Sequence, residues 1–132
     1  MRVLVADDQA GVRSALRLLL EHEGGIEIMA EAADAAAVLQ AAGEQSLDVV
    51  LLDWELPGRP AANLIDGLRA LCPNVRVVAM SCQPEARRTA RAAHVDAFVD
   101  KCDPPERLLA VLQGMRIVST RSENSGDELS QG

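Results

Sequence analysis

Short apolar runs alternate along this chain with stretches in which apolar residues recur every three or four positions. The runs are Arg2–Ala6 (RVLVA), Ile26–Ala32 (IEIMAEA), Asp48–Asp53 (DVVLLD), Val75–Ser81 (VRVVAMS) and Asp96–Asp100 (DAFVD). Three of them are almost unbroken Val, Leu, Ile and Met, the pattern of strands covered on both faces. Between the runs the rhythm is helical. Val12, Ala15, Leu16 and Leu19 form one stripe at i, i+3, i+4 and i+7. Asp34 precedes the Ala-rich stretch Ala35–Ala42 as an N-cap. Ala61–Cys72 carries Leu64, Leu68 and Leu71, and Pro73 ends it. Pro84 opens the next helix, where a first-turn proline is tolerated. The last starts at Asp103, with Glu106 three residues on in a capping-box arrangement and Leu108, Leu109 and Leu112 as its buried face.

Five strand–helix units in succession predict an α/β fold, a doubly wound parallel sheet with five strands and five helices on its two faces. From Ile117 the sequence turns to Ser, Asn, Gly, Asp and Gln without apolar periodicity. Residues 1–116 are therefore expected to form one domain, and 117–132 a flexible polar tail.

Composition narrows the function classes. The 132 residues suit a single domain, with 48% hydrophobic and 25% charged residues, so wholesale disorder is excluded. The formal charge is −7. A nucleic-acid binder needs a cationic footprint, so direct nucleic-acid binding by this segment is not expected. The three cysteines, Cys72, Cys82 and Cys102, are odd in number and form no C-x-x-C pair. With the first apolar run too short for a signal sequence and no run near the ~18 residues of a membrane span, a cytoplasmic, membrane-free protein is expected.

In open parallel sheets, ligands bind beyond the carboxyl ends of the strands. There the first strand delivers Asp7 and Asp8, the third Asp53, the fourth Ser81 and the fifth Lys101. Three carboxylates at one mouth repel one another unless a cation compensates them. Oxygen donors of this kind suit Mg²⁺. A carboxylate beside such an ion can attack a phosphoryl group, with Lys101 and Ser81 meeting its oxygens.

The acidic pair after the first strand, DWELPG after the third, MS ending the fourth and FVDK ending the fifth together resemble a response-regulator receiver (CheY-like) domain. The match runs in order and spacing over about residues 2–116, and PNVRVVAMS and DKCDPPERLLAVL are most similar to the NarL/FixJ-type subfamily. The resemblance implies the flavodoxin-like strand order 2-1-3-4-5. It implies Asp53 as phosphoacceptor, and Mg²⁺ held by Asp8, Asp7, Asp53 and the backbone carbonyl of Glu55. Ser81 and Lys101 would bind the phosphoryl group, with Ser81 and Phe98 as the switch pair. The implied partner is a sensor histidine kinase. The face formed by the fourth helix, fifth strand and fifth helix would signal onward, in a homodimer or to an output domain that regulates transcription. A stand-alone receiver acting by protein contacts is the alternative. Two other classes fit less well. A flavodoxin-like binding module needs a phosphate-cradling loop where this chain has ADDQAG, and a metal-dependent phosphohydrolase needs a cap domain.

Overall fold

The structure is a computed structural model that describes residues 1–116; the segment 117–132, expected above to be a polar tail, lies outside the described residues. The elements run β1 (Arg2–Ala6), α1 (Ala10–Glu21), β2 (Glu27–Ala32), α2 (Ala35–Glu44), β3 (Val49–Asp53), α3 (Ala61–Leu71), β4 (Arg76–Ser81), α4 (Ala86–Ala92) and β5 (Ala97–Asp100). A fifth helix, α5, spans 105–116. All strand pairings are parallel, in the order β2-β1-β3-β4-β5. This is the predicted fold class, with each predicted strand beginning at most one residue early.

The two-residue strand period divides the core into two layers. Leu4, Ala6, Val50, Leu52 and Val77 face one side, where they pack against Val38, Ala41 and Ala42 of α2 and Leu64, Ile65 and Leu68 of α3. Val3, Val5, Val49, Leu51, Val78 and Met80 face the other, against Leu20 of α1 and Leu108, Leu112 and Met115 of α5. Each fully buried Leu or Val side chain contributes about 1.5–3 kcal/mol, so both faces of β1 and β3 tie the sheet to its helices.

The helix boundaries follow local chemistry, with some departures from the expected pattern. Asp34 does cap α2, its carboxylate accepting from the Ala37 N–H at 2.8 Å. Helix α5 starts two residues after Asp103, whose carboxylate instead pairs with Arg107 at 3.7 Å. Pro84 lies in a turn ahead of α4 rather than in its first turn. Leu71 is 50% exposed. At about 100° per residue it lies only about 20° round the helix from buried Leu64, and it is exposed as the last residue of α3. The α1 stripe is half-buried to exposed because a cleft of about 550 Å³ opens beside it, lined by Val12, Leu16, Leu19, Pro104 and Leu108.

Candidate acidic site at the carboxyl edge of the sheet

Acids at the two edges of the sheet are treated differently. At the edge where strands begin, Asp48 accepts from the Arg2 N–H and Asp96 from the Val77 N–H, each at 2.7 Å. Those carboxylates complete strand starts. At the opposite edge, Asp7 and Asp53 are buried side by side and Asp8 is exposed beside them, with one carboxylate oxygen from each within 4.8 Å of the others. The central strands β1 and β3 are neighbours, so their ends bring these residues together.

Lys101 supplies the counter-charge. Its Nζ lies 2.6 Å from Asp7 Oδ2 and 3.4 Å from Asp53 Oδ1. It reaches them from the end of β5, whose ladder with β4 continues through the Lys101 N–H to the Ser81 carbonyl at 3.1 Å. Asp53 Oδ1 also accepts from the Glu55 N–H at 3.0 Å, and Asp7 Oδ1 from the Gln9 N–H at 2.9 Å.

Burial raises the Asp53 pKa above the usual carboxylate value; the Glu55 N–H and the Lys101 charge oppose this, and the Asp7 charge adds to it. Burial acts to lower the Lys101 pKa, but the close ion pair with Asp7 and the charge of Asp53 outweigh it, leaving the ammonium more firmly protonated than usual.

The donor set fits a hard cation. It offers oxygen only, from three carboxylates. One of these oxygens, Asp7 Oδ2, is fully buried with the Lys101 ion pair as its neighbour and without a well-formed hydrogen bond. A divalent ion would satisfy the charge that one lysine only partly neutralises.

Ser81 is buried at the end of β4, as its place in the sequence suggested, but its hydroxyl is engaged: Oγ donates to Glu55 Oε1 at 2.7 Å and accepts from the Gln83 N–H at 2.9 Å. The bond from Ser81 to the Glu55 side chain was not anticipated: the sequence offered that acid only as a faint echo of the second acid of a phosphohydrolase, and the carbonyl of Glu55 as a metal contact. Phe98 is half-buried on β5, and the Arg87 guanidinium of α4 sits 4.6 Å from its ring centroid, within cation–π range. Trp54, next to Asp53, donates from Nε1 to Thr89 Oγ1 on α4 at 2.8 Å. The Trp54 bond joins the Asp53 loop to α4, and the Arg87 contact joins α4 to β5; an aromatic beside an acid and a polar helix face were the only sequence signals. Beside the site, Cys82 and Cys102 are both exposed and share a cluster with Asp100. The Cys102 thiol pKa is pushed up to about 11, first by its hydrogen bond with Cys82.

Comparison with known proteins agrees with the architecture. The response regulator receiver domain family matches residues 3–113. A protein-glutamate methylesterase/protein-glutamine glutaminase 5 of Myxococcus xanthus is 33% identical over 108 residues, 82% of this chain and 31% of that protein. The nitrate/nitrite response regulator protein NarP of Escherichia coli is 27% identical over 126 residues, 91% of this chain and 59% of that protein. The chain thus spans less than two thirds of either relative. Among solved structures, the REC domain of AraT, a response regulator from Geobacillus stearothermophilus, superposes with a TM-score of 0.82 at 26% identity, covering 92% of this chain and 97% of that one. A parallel sheet in this strand order, an acidic cluster at its carboxyl edge and a family match over nearly all described residues lead to one assignment: the chain belongs to the response regulator receiver domain family, the CheY-like domains of two-component systems.

Proposed function

We propose that this receiver accepts a phosphoryl group on Asp53 from a sensor histidine kinase and uses the added charge to reset its α4–β5–α5 face. Receiver domains in general are phosphorylated, bind Mg²⁺ at an acidic pocket, interact with histidine kinases and can dimerise. They are regulators rather than enzymes, although some are fused to enzymes, as in the methylesterase relatives. The observation that carries the residue assignment is the convergence of the Lys101 ammonium on Asp7 and Asp53, at 2.6 and 3.4 Å.

Asp8, Asp7, Asp53 and the Glu55 backbone carbonyl would hold Mg²⁺, which when bound neutralises charge on the phosphoryl oxygens. Asp53 Oδ1 is held by the Glu55 N–H and Lys101, and its second oxygen is the nucleophile. It attacks phosphorus in line; the phosphorus–nitrogen bond to the kinase histidine breaks as the acyl phosphate forms. Lys101 pairs with the transferred group. Ser81 turns from Glu55 to donate to a phosphoryl oxygen, which releases the Glu55 carboxylate. The phosphoryl group adds about −1.5 to −2 charge, and its contacts with Ser81 and Lys101 favour one of two pre-existing states. Phe98 would then leave Arg87 for the interior and alter the α4–β5–α5 surface, in a homodimer or against an output domain. Similarity to NarP, a nitrate/nitrite response regulator protein, supports the NarL/FixJ-type assignment; an output in transcription and a cytoplasmic location belong to that same reading.

The test is incubation with Mg²⁺ and acetyl phosphate followed by intact-mass measurement. The wild type should gain one phosphoryl group and Asp53→Asn none. No gain in the wild type, or equal gain in the variant, would remove the mechanism.

A further inference from the structure

Cys82, Asp100 and Cys102 form a second cluster in which two thiols and a carboxylate each present a donor atom within 4.8 Å of the others. It shares no residue with the acidic cluster of Asp7, Asp8 and Asp53. Its donors come from two loops fixed by the sheet. Ser81 and Asp100 are paired in register across β4 and β5, and each cysteine follows a residue at or just past a strand end. Side-chain turns hold both loops: Gln83 N–H donates to Ser81 Oγ, and Cys102 N–H to Asp100 Oδ1 at 2.8 Å. Both cysteines are exposed, so an ion can reach them from solvent.

We propose that Cys82, Cys102 and Asp100 form a binding site for a thiophilic divalent cation of the Zn²⁺ class. Two sulfurs and a carboxylate are a zinc donor set, with Zn–S near 2.3 Å and Zn–O about 2.0–2.2 Å, and water completes a tetrahedron. Tetrahedral sulfur ligands around one ion sit roughly 3.8 Å apart, a separation within the 4.8 Å that spans the three donor atoms. Mg²⁺, which takes oxygen, is not expected here. On binding, both thiols release their protons to solvent and two zinc–sulfur bonds form. The ion would tie the loop after β4 to the loop after β5, next to Ser81 and Lys101. A disulfide would use the same sulfurs but would give the Asp100 carboxylate no part; the three-donor convergence favours the metal.

The site is tested by titrating Zn²⁺ into the reduced full chain, with a phosphine reductant and excess Mg²⁺ present, against a chromophoric chelator. One equivalent should be taken up by wild type and by Cys72→Ser, whose thiol lies apart and donates to the Ala42 carbonyl. Cys82→Ser and Cys102→Ser should lose that uptake, and Asp100→Asn should weaken it. Co²⁺ in place of Zn²⁺ should give a sulfur-to-cobalt charge-transfer band that both serine variants lack. No stoichiometric uptake, or uptake that survives both serine substitutions, overturns the proposal. So does a Cys82–Cys102 disulfide in air from a protein that, once reduced, takes up no zinc. Acetyl phosphate labelling of Asp53 is read separately, so failure here is distinct from failure of the phosphorylation mechanism.

Discussion

Asp53 sits in the fold at an electrostatic cost. The residue is 3% exposed and its pKa is raised, chiefly because burial disfavours the charged form. A carboxyl with a folded pKa above its unfolded value binds more protons in the native chain between the two, so stability falls as pH rises through that interval. Below the unfolded value of about 3.9 the penalty is absent; above the folded value it is fully present. Asp53→Asn, measured with a chelator present, should therefore melt at a higher temperature than wild type at pH 7, and this advantage should vanish as pH approaches the unfolded value. A lower melting temperature at pH 7 would mean that pairing with Lys101 outweighs burial. The positions of Asp7, Asp8, Asp53, Ser81 and Lys101 were readable from sequence because each lies at or just past the end of a strand, and strand ends of one parallel sheet share an edge. The Ser81–Glu55 and Trp54–Thr89 bonds were not, because they depend on how the loop after β3 folds against residues 26 and 35 positions further along.

Two elements around the site are held by few contacts. The loop from β3 to α3 leans on the start of α2, where the Ala35 N–H donates to the Pro57 carbonyl at 2.9 Å. Gly58 in this loop has φ +113°, and a Cβ there would lie 3.1 Å from the Ala35 Cβ. Gly58→Ala combines a strained backbone with a close contact and should cost about 1–3 kcal/mol in urea unfolding. Helix α4 has seven residues, too few to hold without tertiary support. Burial of Ala86 and Ala90, the Trp54–Thr89 bond and the Arg87–Phe98 contact supply it. Thr89→Ala should cost about 0.5–1.5 kcal/mol, shift Trp54 fluorescence and speed amide exchange in α4. Unchanged fluorescence and exchange would show that the bond does not anchor the helix. At this scale sequence marked helix ends at Asp34 and Pro73, where one residue decides them, but not at Asp103, whose carboxylate pairs with Arg107 instead of capping α5. It misplaced the start of α4, because Pro84 lies in a turn ahead of the helix.

Across the whole molecule, apolar periodicity established five parallel strand–helix units but not their order, because right-handed crossovers permit several. The order came from the resemblance carried by residues at the strand ends, and the observed sheet has it. That order puts β1 and β3 side by side at the centre and gathers three acids of a chain with net charge −7 at one rim. Mg²⁺ should then stabilise the protein in two ways, by general screening and by binding at that rim, and salt separates them. At ten times its dissociation constant a ligand specific to the native state contributes about 1.4 kcal/mol, a rise in melting temperature of roughly 5 °C for a domain of this size. KCl at equal ionic strength should reproduce only the screening part. Asp8 is exposed, so Asp8→Ala should fold, retain the response to KCl and lose the excess response to Mg²⁺. If Mg²⁺ and KCl act alike on the wild type, or if the excess persists in Asp8→Ala, the acidic rim is not the cation site.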